Sequence, residues 1–184
     1  MPEVLILSGP AVAGKSSVAQ ALADRYDRVA HIQVEVLRGF VTPTGFAKHG
    51  QPEYERQRHL AARNACALAR NFLAERFGVI IEDVLDEPEL LAIYLRELRG
   101  LDVPVHLVQL LPSLAVSEAR EMERRRGKAP AGWVRAEYER YAANAASLPG
   151  VSIDSSALTA NETADKVQAL TTSGESLIMA RPEV

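Results

Sequence analysis

The sequence predicts a three-layer α/β domain built on a parallel sheet of five strands. Two observations carry that expectation. Short apolar runs alternate with helical periodicity along most of the 184 residues, which is the pattern of consecutive strand–helix units. Inside the first unit lies Gly9-Pro10-Ala11-Val12-Ala13-Gly14-Lys15-Ser16, a complete G-x-x-x-x-G-K-S sequence. Such a loop belongs between a parallel strand and the start of a helix.

Each element follows from local pattern. The run Val4-Leu5-Ile6-Leu7 makes Glu3–Ser8 the first strand, and Val18 and Leu22 share one face of a helix from Ser16 to Arg25. Further strands are expected at Val29–Val34, Val79–Asp83, Val103–Leu110 and Val151–Ile153. Residues 36–77 form the longest stretch without a strand pattern. It opens with two turn-rich pieces, Thr42-Pro43-Thr44-Gly45 and His49-Gly50-Gln51-Pro52, and continues as a helix from Pro52 to Phe77. Pro52 suits a first helical turn and Gly78 the position just past the end. Leu91, Tyr94, Leu95 and Leu98 stripe a helix from Pro88 to Arg99, stopped by Gly100. A helix from Ser113 to Arg126 becomes strongly basic at its end, a Gly/Pro-rich break spans Gly127 to Gly132, and another helix runs from Trp133 to Ala146. The last helix opens on Thr159-Ala160-Asn161-Glu162, a capping-box pattern. Residues 171–184 have weak periodicity and are expected to be a loose tail. Repeats, low-complexity tracts and a second-domain boundary are all missing from the sequence, so residues 1–184 read as one domain.

Bulk properties narrow the class. The hydrophobic fraction of 47% is that of a globular protein, and a formal net charge of −3 argues against long nucleic acid as a partner. The single cysteine, Cys66, excludes an intramolecular disulfide and fits a reducing cytosol. Its neighbours Ala65, Ala67 and Leu68 point to packing rather than reactivity. The four histidines have no metal-ligand spacing. The first apolar run is too short for a signal peptide and none is long enough to span a membrane, so a cytoplasmic location is expected.

The loop carries the first chemistry. Its backbone N–H groups and the positive end of the following helix can cradle phosphate oxygens. The expected nucleotide contacts are Gly9, Ala11, Val12, Ala13, Gly14, Lys15, Ser16 and Ser17. Lys15 would neutralise the β- and γ-phosphates, and the Ser16 hydroxyl would be a ligand of Mg2+. Strand ends in an open parallel sheet face the ligand crevice. Glu35, at the end of the second strand, is therefore placed to take a proton from a substrate hydroxyl. Arg38, one helical turn on, is a candidate contact for an anionic part of the acceptor. The strand Val79-Ile80-Ile81 ends in Glu82-Asp83, and an acid there supplies a carboxylate near Mg2+, with Asp83 preferred and Glu82 next to it. Arg120, Arg124, Arg125 and Arg126, then Arg135 beyond the Gly/Pro break, form a basic helix–loop–helix over residues 120–135 that could close as a lid. Arg120 and Arg124 are the candidate nucleotide contacts, Arg124 and Arg126 the candidate catalytic arginines, and Arg135 a candidate acceptor contact. Arg56, Arg63 and Arg70 recur every seven residues, the spacing of a solvated face, with Arg63 kept as an acceptor candidate. The sequence has no Asn-Lys-x-Asp motif and no Leu-Ser-Gly-Gly signature, which weighs against a GTPase switch and a transporter ATPase.

The loop Gly9–Ser16, Glu35-x-x-Arg38, Ile80-Ile81-Glu82-Asp83, the Arg120–Arg126 region and Ile153-Asp154-Ser155-Ser156 together resemble the small P-loop kinases related to chloramphenicol phosphotransferase, polynucleotide kinase and zeta toxins. The resemblance spans roughly residues 3 to 170. It implies a sheet order of 2-3-1-4-5, a helical lid, an adenine pocket after Asp154 and an acceptor site in the 36–77 insertion. In those families an acid at the Glu35 position, normally Asp, is the base for the acceptor hydroxyl. The expected activity is ATP- and Mg2+-dependent transfer of the γ-phosphate to a hydroxyl of a small molecule. Two alternatives stand beside it, a nucleoside or polynucleotide 5′-hydroxyl kinase and a nucleotide-binding regulatory module with weak ATPase activity.

Overall fold

The computed structural model describes residues 3–41, 47, 49–125 and 132–182. Among them, six strands form one sheet, with β1 (Val4–Ser8) at its centre between β3 (Gly78–Glu82) and β4 (Val105–Leu110). β2 (Val29–Gln33) and β5 (Val151–Ile153) lie outside these, giving the order β2-β3-β1-β4-β5 with every neighbouring pair parallel. This is the order that the resemblance implied.

Side chains alternate across the sheet, and the two faces collect different helices. Val4, Ile6, Val79 and Ile81 pack with the alanine-rich face of α3 (Pro52–Ala74) and with α4 (Pro88–Glu97). Leu5, Leu7, Ile80 and Val108 pack with Val18 and Leu22 of α1 (Lys15–Ala23) and with Ala164 and Val167 of α7 (Ala160–Ser173). A strand buried on both faces has no polar alternation, which is why VLILS reads as one apolar run. On α3 the small residues Ala61, Ala62, Ala65, Cys66 and Ala69 are buried, so the helix lies close to the sheet. Cys66 is buried as expected, and burial pushes its thiol up to about 12. None of the described helices is long and apolar enough to cross a membrane.

Several boundaries differ from expectation. Val34 leaves the second strand to open a short helix, α2 (Val34–Arg38), and Asp83 lies one residue past β3. Gly78 opens β3 instead of ending the preceding helix. The expected helices around residues 113–126 and 133–146 are α5 (Leu114–Arg125) and α6 (Trp133–Ala145). The capping box of α7 is present: the Thr159 hydroxyl accepts from the Glu162 N–H at 3.2 Å, and Glu162 accepts from the Thr159 N–H at 2.8 Å.

The expected loose tail is corrected over its described part. Residues 171–173 complete α7, and β6 (Leu177–Met179) runs antiparallel to β4 at Val105 and His106. The reason lies in the length of β5. Its three residues pair only with Val108–Leu110, which leaves the first half of a fully buried strand without partners on that edge. Buried backbone groups must be paired. Residues 176–179 meet that need, with the Leu107 N–H donating to Ser176 O at 2.9 Å. Ser176 is itself fully buried, and its hydroxyl lies 3.0 Å from His106 Nδ1.

Candidate functional site

The turn from β1 into α1 needs special backbone at two glycines. A Cβ on Gly9 would stand 2.4 Å from the carbonyl oxygen of Leu110 on β4, and Gly14 has φ +97° in the left-handed region, open chiefly to glycine. Val12 shares a positive φ of 56°. The result is a loop wrapped around the lysine side chain. Lys15 is nearly buried, and its ammonium donates to the carbonyls of Gly9 and Pro10, both at 3.0 Å. Burial lowers its pKa, and the carboxylates of Glu82, Asp83 and Glu35 work in the opposite direction.

Ser16, in the first turn of α1, faces the end of β3. Its hydroxyl donates to Glu82 Oε1 at 2.6 Å. Glu82 Oε2 lies 2.9 Å from His31 Nε2 and 3.4 Å from Gln33 Nε2 on β2. Burial alone would raise the Glu82 pKa, but the hydrogen bonds from His31 and Ser16 and the Lys15 charge outweigh it and hold it below the usual carboxylate range. Asp83 differs. Its Oδ2 accepts from the Tyr94 hydroxyl at 2.6 Å and its Oδ1 from the Val84 N–H at 2.8 Å. Burial raises its pKa in spite of those bonds. The carboxylate beside Ser16 is therefore Glu82, whereas the preferred candidate, Asp83, is held by Tyr94 and its own backbone.

A cleft of about 560 Å³ opens above this cradle, and a second lobe of about 590 Å³ adjoins it. Lys15, Ser16, Glu35, Glu82, Asp83 and Arg124 line both. The first lobe extends to Tyr54, Arg58, Trp133 and Glu137, and the second to Gln33, Val36 and the exposed Phe40. Glu35 stands exposed in the first turn of α2 and belongs to both walls. Arg38 lies 5.1 Å from the ring centre of Tyr54 and donates to Ala47 O at 3.3 Å. Arg120 bridges the loop and the end of β5, donating to Ala13 O at 3.1 Å and to Ser155 O at 3.3 Å.

Of the expected residues, the cleft thus gathers Ala11, Val12, Gly14, Lys15, Ser16, Ser17, Glu35, Arg38, Asp83, Arg120 and Arg124. Gly9 and Ala13 shape the loop from beneath. Two candidates are not brought in. Arg63 is on the exposed side of α3, about 140° around the helix from Arg58, which does line the cleft. Arg135 points to the surface, 2.9 Å from Glu118 and 3.9 Å from Glu139. Arg126, and with it residues 126–131 of the expected lid, lies outside the described residues.

The sequence reading missed a buried ionic group at the far wall. Asp86 is fully buried. Its Oδ1 takes the Arg58 guanidinium and its Oδ2 takes Arg140 Nε at 2.7 Å, while Asn144 donates to its backbone carbonyl at 2.9 Å. Burial opposes the charge of Asp86, but the two arginines outweigh it and lower its pKa. Arg58 is 5% exposed and also donates to Val84 O at 2.8 Å. A signal was present. Arg58 falls on the same stripe of α3 as Ala62, Ala65 and Ala69, and a cation interrupting an apolar stripe needs a partner.

Comparison with known proteins agrees with this fold. The family model of chloramphenicol phosphotransferase-like proteins matches residues 2–172. No curated protein sequence matches. Among solved structures, the tunicamycin resistance protein of Deinococcus radiodurans superposes with a TM-score of 0.67 at 19% identity, covering 98% of this chain and 99% of that one. A sugar kinase from Janibacter sp. HTCC2649 gives 0.70 at 16% identity, with 95% of each chain covered. The Mycobacterium tuberculosis APS kinase, in complex with AMPPNP and APS, gives 0.68 at 18% identity over 92% of this chain and 97% of its own.

Proposed function

The chain belongs to the chloramphenicol phosphotransferase-like family of kinase-type phosphotransferases, and from that membership we propose that it transfers the γ-phosphate of ATP to a hydroxyl of a small molecule, with Mg2+ as cofactor. The observation that carries the reading is the position of Glu35. Its carboxylate lines both lobes of the cleft that contains Lys15 and Ser16, so a base and a phosphate cradle share one space.

The loop amides and Lys15 bind the phosphates; that the APS kinase neighbour was solved in complex with AMPPNP supports a nucleotide as the ligand. Arg120 ties the loop to the β5 end, where the nucleotide base would lie. Arg124, on the wall common to both lobes, supplies positive charge to the transferring group. Glu35 accepts the acceptor proton and orients the oxygen for in-line attack.

The residues present fit Mg2+. Among the described residues there is no cluster of three or more His, Cys, Asp or Glu that could cage a metal, but Mg2+ keeps several waters and takes one or two protein oxygens beside substrate phosphates. The Ser16 hydroxyl and the Glu82 carboxylate, 2.6 Å apart, with Glu82 held below the usual carboxylate range, are that kind of pair. When bound, the ion neutralises phosphate charge.

The test is ATP consumption against a panel of aminoglycosides, chloramphenicol-like alcohols, nucleosides and 5′-hydroxyl oligonucleotides, with Lys15→Ala as control. Acceptor-dependent ADP release that disappears in Lys15→Ala is the expected result. Nucleotide binding without turnover on any acceptor would overturn the reading in favour of a binding module, and turnover confined to oligonucleotides would make the chain a 5′-hydroxyl kinase.

A further inference from the structure

Resting on the acceptor-phosphorylating reading, the geometry points to Asp86 as the residue that sets the charge of the acceptor: its carboxylate occupies the two guanidiniums that would otherwise draw a substrate anion, leaving the lobe to a hydroxyl compound that is uncharged or cationic.

Two arginines converge on the far wall from different elements, Arg58 from α3 and Arg140 from α6. Guanidiniums aimed at one point form a ready receptor for a carboxylate or phosphate. Here the anion is built in. Asp86 gives one oxygen to each arginine and is fully buried, so it is inaccessible to solvent exchange or to an acceptor. Glu137 adds a second neutralising group, holding Arg140 Nη1 and Nη2 at 2.9 and 2.7 Å, and its side chain faces the cleft. The residue that contacts the space is Arg58, which lines the cleft while its charge is spent chiefly on Asp86, with Glu87 and Glu55 farther off at 3.6 and 3.9 Å. Tyr54, whose ring lies 5.4 Å from the Arg58 guanidinium, and Trp133 complete the wall with aromatic surface. Glu35 and Glu137 stand on this wall, and so does Arg38, which lies 5.1 Å from the Tyr54 ring and donates to Ala47 O. A carboxylate or phosphate carried by the acceptor therefore meets like charge at Glu35 and Glu137 without the paired guanidiniums to draw it, which is a device of rejection as much as of binding.

Asp86 is thereby a specificity residue acting through Arg58, and the test must separate this role from a merely structural ion pair. Truncation in Asp86→Ala leaves a space between the two guanidiniums, of which Arg58 lines the cleft, and acetate is the probe. In thermal unfolding at constant ionic strength, replacing chloride by acetate should leave the wild type unchanged. It should raise the Tm of Asp86→Ala by about 3 °C or more, and the gain should vanish in the Asp86→Ala/Arg58→Gln double variant. Asp86→Asn, nearly the same shape, is the second variant. It fills the space and should not respond to acetate. A folded Asp86→Ala that ignores acetate, or a wild type that responds equally, would overturn the proposal. So would failure of Asp86→Ala to fold even in acetate, because the probe should replace the missing anion.

A second arm uses acceptors matched in scaffold and hydroxyl position but carrying an amide, an ammonium or a carboxylate. Wild type should prefer the first two over the carboxylate by about tenfold or more in kcat/KM, and Asp86→Asn should narrow that ratio. Equal turnover of the carboxylate by wild type refutes the assignment. If no acceptor supports ADP release, the kinase reading fails by itself, and the acetate arm still decides the role of Asp86.

Discussion

The Tyr94 hydroxyl offers the most quantitative test of how the site is held. It is fully buried and donates at 2.6 Å to Asp83 Oδ2, at the mouth of the cleft. Tyr94→Phe keeps the ring and removes that one bond. A hydrogen bond to a charged group contributes about 1.5–3 kcal/mol, and for a chain of this size each kcal/mol moves Tm by about 2–4 °C, so a drop of roughly 3–12 °C is expected at neutral pH. The pH dependence sharpens the prediction. Burial raises the Asp83 pKa in the folded protein, and the Tyr94 bond works against that rise. Between the ordinary carboxylate value and the raised one, the folded state binds more protons than the unfolded state, so this group makes stability fall as pH rises. Deleting the donor raises the folded pKa further and steepens the fall. The Tyr94→Phe penalty should therefore be largest at neutral pH and shrink as pH drops through the Asp83 transition. Urea or thermal unfolding of both proteins from about pH 8 to about pH 4 reads this directly. A penalty that is constant over that range, or grows in acid, would refute the view that Tyr94 stabilises an ionised Asp83.

Four further outcomes follow from the same geometry. Glu35→Gln should keep ATP affinity and lose phosphoryl transfer by about 10²–10⁴-fold, measured as single-turnover rate beside nucleotide titration. Glu82→Gln should raise the Mg2+ concentration for half-maximal rate by about tenfold or more, and Asp83→Asn should do so less, because Glu82 alone of the two touches Ser16. Thr159→Ala removes the cap of α7 and should cost about 1 kcal/mol in urea unfolding. Cys66, buried with its thiol pushed up to about 12, should react with iodoacetamide more than about 100-fold more slowly in the folded protein than in the unfolded one near pH 8.

The fold was legible wherever a strand is buried on both faces. VLILS, GVIIE and VHLVQL are near-continuous apolar runs with helical patterns between them, and that is what parallel strands under two helix layers produce. The order of the strands was not in those runs, since any order buries them equally; it came with the resemblance carried by the loop and the acidic strand ends. β6 was missed because Leu177, Ile178 and Met179 are too few to show a period. Its existence depends on a distant fact, that β5 stops after three residues and leaves the edge of β4 unpaired. Ends of elements slipped for a related reason. Gly78 suits either a helix stop or a strand start, and the pairing of Gly78 with Val29 settles it as strand.

The cradle was legible because its chemistry is local: a loop whose backbone wraps a phosphate needs its glycines, lysine and serine at fixed spacing. The far wall is not local, and Arg58 is not among the arginines that the sequence singles out. Arg56, Arg63 and Arg70 stand out by their sevenfold spacing, which reads as a face turned to water. Arg58 breaks a pattern instead. It sits on the stripe that continues through Ala62, Ala65 and Ala69, where every other residue is small because the helix lies close to the sheet. An unpaired guanidinium there would lose more in desolvation than the helix gains by packing, so its presence implies a buried acid. Asp86 satisfies that demand: it follows a strand that must end at the crevice, and it stands one turn before an apolar helix face with no need of a charge. The interruption of the alanine stripe thus carried information about a contact 28 residues away in sequence, and it did so because burying a charge is affordable only in company.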